Sequence, residues 1–370
     1  ISSDGDFKAV KLIAQNVKGP VICGLARAVK EDINRAWEAI KYSDKPRIHT
    51  FIATSQIHMD KKLRKTKEEV IQMAVEAVKH AKQYCDDVEF SPEDAARTDM
   101  DYMCDVVRAA IKAGATTINI PDTVGYAEPE EFGKRIKYLF EKVPETNNIV
   151  ISCHCHDDLG LSVANSLAAV MNGATQVECT LNGIGERAGN ASMEEIVMNL
   201  KTRSDYFKNF YTDISAREIY KTSRMVSDLT GLAVQRNKAI VGANAFAHEA
   251  GIHQHGVISD KSTYEIMKPE DVGWKGEGLV MGKHSGKHAV EVVLREMGYE
   301  FSAEQIERIM GRIKELADKQ KQVMKEDIIA IANDVAGALT KEERIITLEE
   351  INVNTGNKVR PTAIVKLNIR

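Results

Sequence analysis

The first two hundred residues alternate between short β-rich runs and amphipathic helical stretches, and this rhythm restricts the fold more than any other feature. The runs are "PVICGLAR" (20–27), "RIHTFIAT" (47–54), "DDVEFS" (86–91), "TTINIPDT" (116–123), "NIVISCHC" (148–155) and "QVECTLNG" (176–183). They recur about every 30 residues with a helical pattern between them, which describes repeated βα units and a parallel sheet. The helix after Thr66 opens with a capping box to Glu69 and places Val70, Ala74, Val78 and Ala81 on one face. Gly114 and Gly173 stand just past helical stretches, where a left-handed cap suits glycine. The strands read as near-continuous apolar runs, as in a sheet covered on both faces.

Several strands break into polar residues at their C-terminal ends: His49, Glu89 and Ser91, Asp122 and Thr123, His154 and His156, Asn182. Ligands of an open doubly wound sheet gather at one switch point, whereas a (β/α)8 barrel collects its site from the ends of many strands. The pattern therefore predicts an α/β fold of the TIM-barrel type, with six of the eight strands over residues 1–203. Two strands and one helix are missing from the front, since "ISSDGDFKAVKLIAQNV" reads as a loop and then a helix.

Past residue 204 the rhythm stops. A linker subdomain is expected over 204–270 and a helical one over 271–343, including a helix capped by Ser302 and Gln305 that carries Ile306, Ile309, Met310, Ile313 and Leu316. Residues 344–370 read as two alternating strands around "NTGN", without a third strand to cover the edge. Both ends look cut, and the expectation is a longer parent polypeptide.

A net charge of −4 and the lack of any run of five like charges give no reason to expect nucleic-acid binding. No apolar stretch is long enough for a membrane span, and no signal peptide opens the chain. The six cysteines form no Cys-x-x-Cys pair, so buried reduced thiols in a cytoplasmic protein are the simplest reading. Cys153 and Cys155 alternate with His154 and His156, and on a strand they face the opposite way as core filler.

His154 and His156, two apart at a strand end, point to one side and together suggest a divalent metal. The next strand ends in "LNGIGERAGN" (181–190), where glycines, Gly183 and Gly185 among them, let backbone approach a ligand. Further on, "HEAGIHQHG" holds His248, His253 and His255. A zinc-peptidase pair fails there, because position 252 is Ile. The three histidines read either as plain loop residues or as proton-transfer groups.

Together "HTFIATS", "DDVEFSPEDAARTD", "INIPDTVGY", "CHCHDDLGLSVANSLAA", "NGIGERAGNAS", "HEAGIHQHG", "TYEIMKPEDVGW" and "GKHSGKHA" resemble the isopropylmalate, citramalate and homocitrate synthase family, with the first two members the nearer. The resemblance implies His154 and His156 as metal ligands, with Asn190 completing or bordering the shell, for Mn, Zn or Mg. It implies His49 and Thr123 at the substrate, Gly183 and Gly185 near the co-substrate acetyl-CoA, and Glu89, His253 and Tyr264 as the acid/base set. A 2-oxo acid would be the acceptor in a Claisen-type condensation. A homodimer and a C-terminal domain sensing leucine are implied as well. Two departures stand out: no "RDGEQ" motif with its Arg and Asp occurs, and His255 stands where Asp is common. Alternatives are citramalate synthesis from pyruvate, a metal-dependent aldolase or hydrolase on the same barrel, and a catalytically inactive fragment.

Overall fold

The computed structural model describes residues 3–246, 260, 263, 265–274, 290–291, 294–295, 299, 301–319, 323, 325–336, 346–356 and 359–369. They divide into two compact units: residues 1–242 with 270–274, and residues 243–269 with 275–370.

In the first unit six parallel strands lie side by side in chain order: β1 (Ile22–Arg27), β2 (Pro46–Ala53), β3 (Asp87–Glu93), β4 (Thr117–Asp122), β5 (Val150–Cys155) and β6 (Gln176–Glu178). Helices Lys30–Ile40, Lys67–Ala81, Met100–Ala113, Pro129–Lys142 and Ser162–Met171 connect them. The expected Thr66–Glu69 capping box is present in both directions, at 2.9 and 3.2 Å. Gly114 and Gly173 adopt φ values of 115° and 116° past their helices, as expected.

The sheet is curled. Arg47 on β2 donates to Gln176 on β6 at 2.9 Å. In a flat sheet those strands, four steps apart, would be separated by roughly 19 Å at about 4.8 Å per step. The strands thus wrap as in a (β/α)8 barrel, with side chains from distant strands meeting inside.

The core lies outside that curl. Ile48, Val88, Phe90, Ile118, Ile120, Ile151 and Cys153 pack against the helices through Ile33, Val70, Ala74, Val106, Ile136 and Leu139. The inner face differs from the sequence reading of strands apolar on both sides. Arg47, His49, Glu89, Ser91, Asn119, Ser152, His154, Gln176 and Glu178 are polar and bond to one another there. The runs look apolar because outward residues alternate with polar ones that find partners across the curl.

Two further expectations need correction. β6 holds three residues rather than the eight from 176 to 183. After Glu178 the chain leaves β5: the Thr180 N–H donates to Ala191 O at 3.0 Å, and residues 181–183 form a 3-10 turn. The thiols are not uniformly buried. All six are free, but Cys23, on edge strand β1, is exposed, and Cys85 and Cys179 are half-buried. Cys153 and Cys155 are fully buried on the outer face, as expected.

In the second unit, helices Ala303–Lys319 and Lys325–Ala336 share a small core of Ile306, Ile309, Ile313, Ile328, Ile331 and Ala332. The Ser302–Gln305 capping box is present. Strands β7 (Ile346–Gly356) and β8 (Val359–Ile369) form the expected antiparallel hairpin. Among the described residues no helix is long and apolar enough to cross a membrane.

Candidate active site

His154 is the penultimate residue of β5 and His156 lies just beyond its end, with the two rings 5.0 Å apart and nearly perpendicular. Each ring has one nitrogen engaged. His154 Nδ1 contacts Glu178 Oε2 at 2.8 Å, and His156 Nδ1 donates to the Thr123 carbonyl at 2.7 Å. A carboxylate or carbonyl on Nδ1 places the proton there and leaves Nε2 with its lone pair, the state in which imidazole binds a cation. Burial first, and then neighbouring His154, holds His156 below the ordinary imidazole pKa and so favours this neutral form.

Asn190 lies beside them. It pairs with His156 in an antiparallel bridge, and its Nδ2 donates to Ile184 O at 2.9 Å. Its Oδ1 is buried without a hydrogen-bond partner. Leaving such an oxygen unpaired costs about 1–3 kcal/mol. Gly185 makes the arrangement possible, since a Cβ there would lie 2.1 Å from Asn190 Nδ2. Two imidazole nitrogens and an amide oxygen are donor types that could hold a divalent cation.

A second group, Cys23, His49 and Glu89, brings three possible ligand atoms within 4.8 Å of one another. It suits a cation less well. Arg47 donates to the Glu89 carboxylate at 3.1 Å, and His49 Nε2 is occupied by Ser91 Oγ at 2.6 Å. A guanidinium on one ligand repels an incoming cation.

His49 and Glu89 belong instead to a hydrogen-bonded chain across the inner face. Ser91 also accepts from Asn119 Nδ2 at 3.0 Å, and Asn119 reaches Glu178 at 3.3 Å. Glu178 Oε1 lies 3.4 Å from His49 Nδ1. Gln176 accepts from Arg47 through Oε1 and donates through Nε2 to Glu89 Oε1 at 3.0 Å. Burial, and then Glu178, raises the Glu89 carboxyl well above the ordinary carboxylate range, although Arg47 pulls the other way. For Glu178 burial acts upward, but the hydrogen bond with His154 outweighs it and the net shift is downward. Burial pushes His49 down to about 4, so it is a neutral ring.

The structure thus brings His49, Glu89, His154, His156 and Asn190 to the inner face or rim of the first unit. Thr123 follows β4, where its Oγ1 accepts the Asp94 N–H at 2.9 Å. Gly183, at φ 66°, approaches Ser192 and Asn190. His253 and Tyr264 lie outside the described residues, as do His248 and His255. Sequence reasoning missed Glu178, Gln176, Arg47 and Asn119. The signal was available in the alternation: Arg47 stands two residues from His49, and Glu178 is the register partner of His154.

Comparison with known proteins shows the family. Residues 1–226 match the HMGL-like family model, and residues 240–321 match the homocitrate synthase post-HMGL domain-like model. The 2-isopropylmalate synthase of Carboxydothermus hydrogenoformans is 57% identical over 99% of this chain and 71% of its own length. That of Pelotomaculum thermopropionicum is 56% identical over 99% and 72%. The chain belongs to the 2-isopropylmalate synthase family. Its members are acyltransferase-type enzymes, and this family member shares their barrel. Among solved structures, hydroxymethylglutaryl-CoA lyase from Pseudomonas aeruginosa aligns with a TM-score of 0.52 at 18% identity, covering 62% of this chain and 76% of the lyase. At that identity the likeness shows the fold alone.

Proposed function

We propose that this family member condenses acetyl-CoA with 3-methyl-2-oxobutanoate (2-oxoisovalerate) and water, giving 2-isopropylmalate and CoA in leucine biosynthesis. The observation that carries the reading is the donor set of His154, His156 and Asn190, with each Nδ1 already engaged and the amide oxygen unpaired. It stands in a chain more than half identical to 2-isopropylmalate synthases.

A divalent cation held by these three residues would polarise the keto carbonyl and stabilise the negative charge developing on its oxygen. The chain's own groups supply the rest. Glu89, held in place by Arg47 and Gln176, takes a proton from the acetyl methyl group. A carboxyl kept above its ordinary pKa is the stronger base once ionised, and positioned proton transfer of this kind is worth about 10²–10⁴ in rate. The methyl carbon attacks the ketone, and water then cleaves the thioester and releases CoA. Neutral His49 would contact the 2-oxo acid through its ring without adding charge. Thr123 would contact the 2-oxo acid, and Gly183 and Gly185 would lie near acetyl-CoA. His253 and Tyr264 assist the proton transfers. The enzyme acts as a cytoplasmic homodimer, and Mn, Zn or Mg suits the donor set.

The test is CoA thiol release from acetyl-CoA with 2-oxoisovalerate, pyruvate or 2-oxoglutarate. Clear preference for 2-oxoisovalerate is expected. Preference for pyruvate would make the chain a citramalate synthase instead.

A further inference from the structure

The cation reading leaves Arg187 without a role, although it stands in the glycine-rich loop beside Asn190. Its backbone is left-handed at φ 53°, a conformation that costs a non-glycine residue energy. Its side chain grips Asp158 with two bonds, Nε to Oδ1 at 2.7 Å and Nη2 to Oδ2 at 2.9 Å. The same Nη2 donates to the Thr123 carbonyl at 2.9 Å, the oxygen that accepts His156 Nδ1. Asp158 is itself packed on the Thr123 loop, since a Cβ on Gly125 would lie 2.6 Å from the Asp158 nitrogen. Three loops, after β4, β5 and β6, therefore meet at one carbonyl, and that carbonyl orients a proposed ligand.

We propose that Arg187 and Asp158 form a positioning clamp for the cation site: by fixing the Thr123 carbonyl, they hold His156 in the orientation and tautomer that leave Nε2 for the ion. The inference rests on the cation reading above. Groups that orient a ligating histidine commonly change metal affinity about 10–100-fold when removed. The Asp158 carboxylate offsets the guanidinium charge, so the clamp adds little net positive potential next to a cation.

Charge and positioning make opposite forecasts. If Arg187 acted only through its charge, removing it would leave Asp158 unopposed and tighten cation binding. If it acts by positioning, the same change loosens binding. The experiment is a titration of metal-stripped protein with Co²⁺, followed by visible absorption, for wild type, Arg187→Met, Arg187→Lys, Asp158→Asn and His156→Ala. Arg187→Met is expected to weaken Co²⁺ binding about 10–100-fold and to alter the ligand-field bands. Arg187→Lys keeps the charge but lacks the fork that spans Asp158 and Thr123, so it weakens binding in the same direction, and it carries the test should Arg187→Met fail to fold. Binding by Arg187→Met that equals or exceeds wild type would overturn the clamp. So would a fall in the melting temperature of the metal-free protein with the Co²⁺ spectrum and affinity unchanged. Wild-type binding by His156→Ala would instead defeat the cation site itself, so the two failures are distinguishable.

Discussion

Glu89 and Phe90 are neighbours on β3, yet they live in different media. Phe90 points outward and is fully buried among helix side chains. Glu89 points inward to Arg47, Gln176 and Glu178. The same contrast runs along the sheet: Ile48 beside His49, Cys153 beside His154. The outer face holds the fold through apolar area and shape, which tolerate no loss of volume. The inner face consists of polar groups that satisfy one another, and its bonds decide which groups stay neutral, which carry charge and which nitrogens remain free.

Substitutions that separate the faces test this contrast. The largest effect is expected from Glu89→Gln, which keeps shape and removes the base. CoA release should fall by about 10²–10⁴-fold, with the circular dichroism spectrum retained. Phe90→Ala next door should do the reverse, lowering unfolding free energy by about 3–5 kcal/mol in a denaturant titration, while kcat of the still-folded fraction stays near wild type. Equal phenotypes for the pair would erase the distinction between the faces.

A pH profile sharpens the comparison further. Burial and Glu178 raise the Glu89 carboxyl well above the ordinary carboxylate range, and the base form appears as protons leave. Activity should therefore climb with pH on the alkaline side of neutral, where an ordinary glutamate would already be fully ionised. Glu178→Gln removes the second-largest cause of the shift, so the climb should move to lower pH. An unmoved profile would remove Glu89 from the base role. The smallest effect belongs to the surface: Thr66→Ala deletes an exposed helix cap and should cost about 1 kcal/mol with activity unchanged.

The outer face was legible in the sequence, and much of the inner face was not. Six strand positions, the Thr66 and Ser302 caps and the terminal hairpin follow from periodicity and capping chemistry, which are local. His154 and His156 were visible because two imidazoles at alternate positions are rare in an apolar run. Arg47, Gln176 and Glu178 were passed over because their meaning depends on which strand the curl brings opposite. The 2.9 Å contact between β2 and β6 cannot be read from either strand alone. The end of β6 was misplaced for a similar reason. Residues 179–183 alternate like a strand, but Thr180 finds its partner at Ala191, which lies eleven positions further along.

The most direct test of the account strips the protein with a chelator and measures CoA release from acetyl-CoA and 2-oxoisovalerate before and after adding back Mn²⁺ or Zn²⁺, for wild type and for His154→Ala with His156→Ala. Wild type should lose activity on stripping and regain it with the ion, and the double variant should stay inactive at any ion concentration. Activity that survives the chelator, or that persists in the double variant, would contradict a cation at the paired histidines.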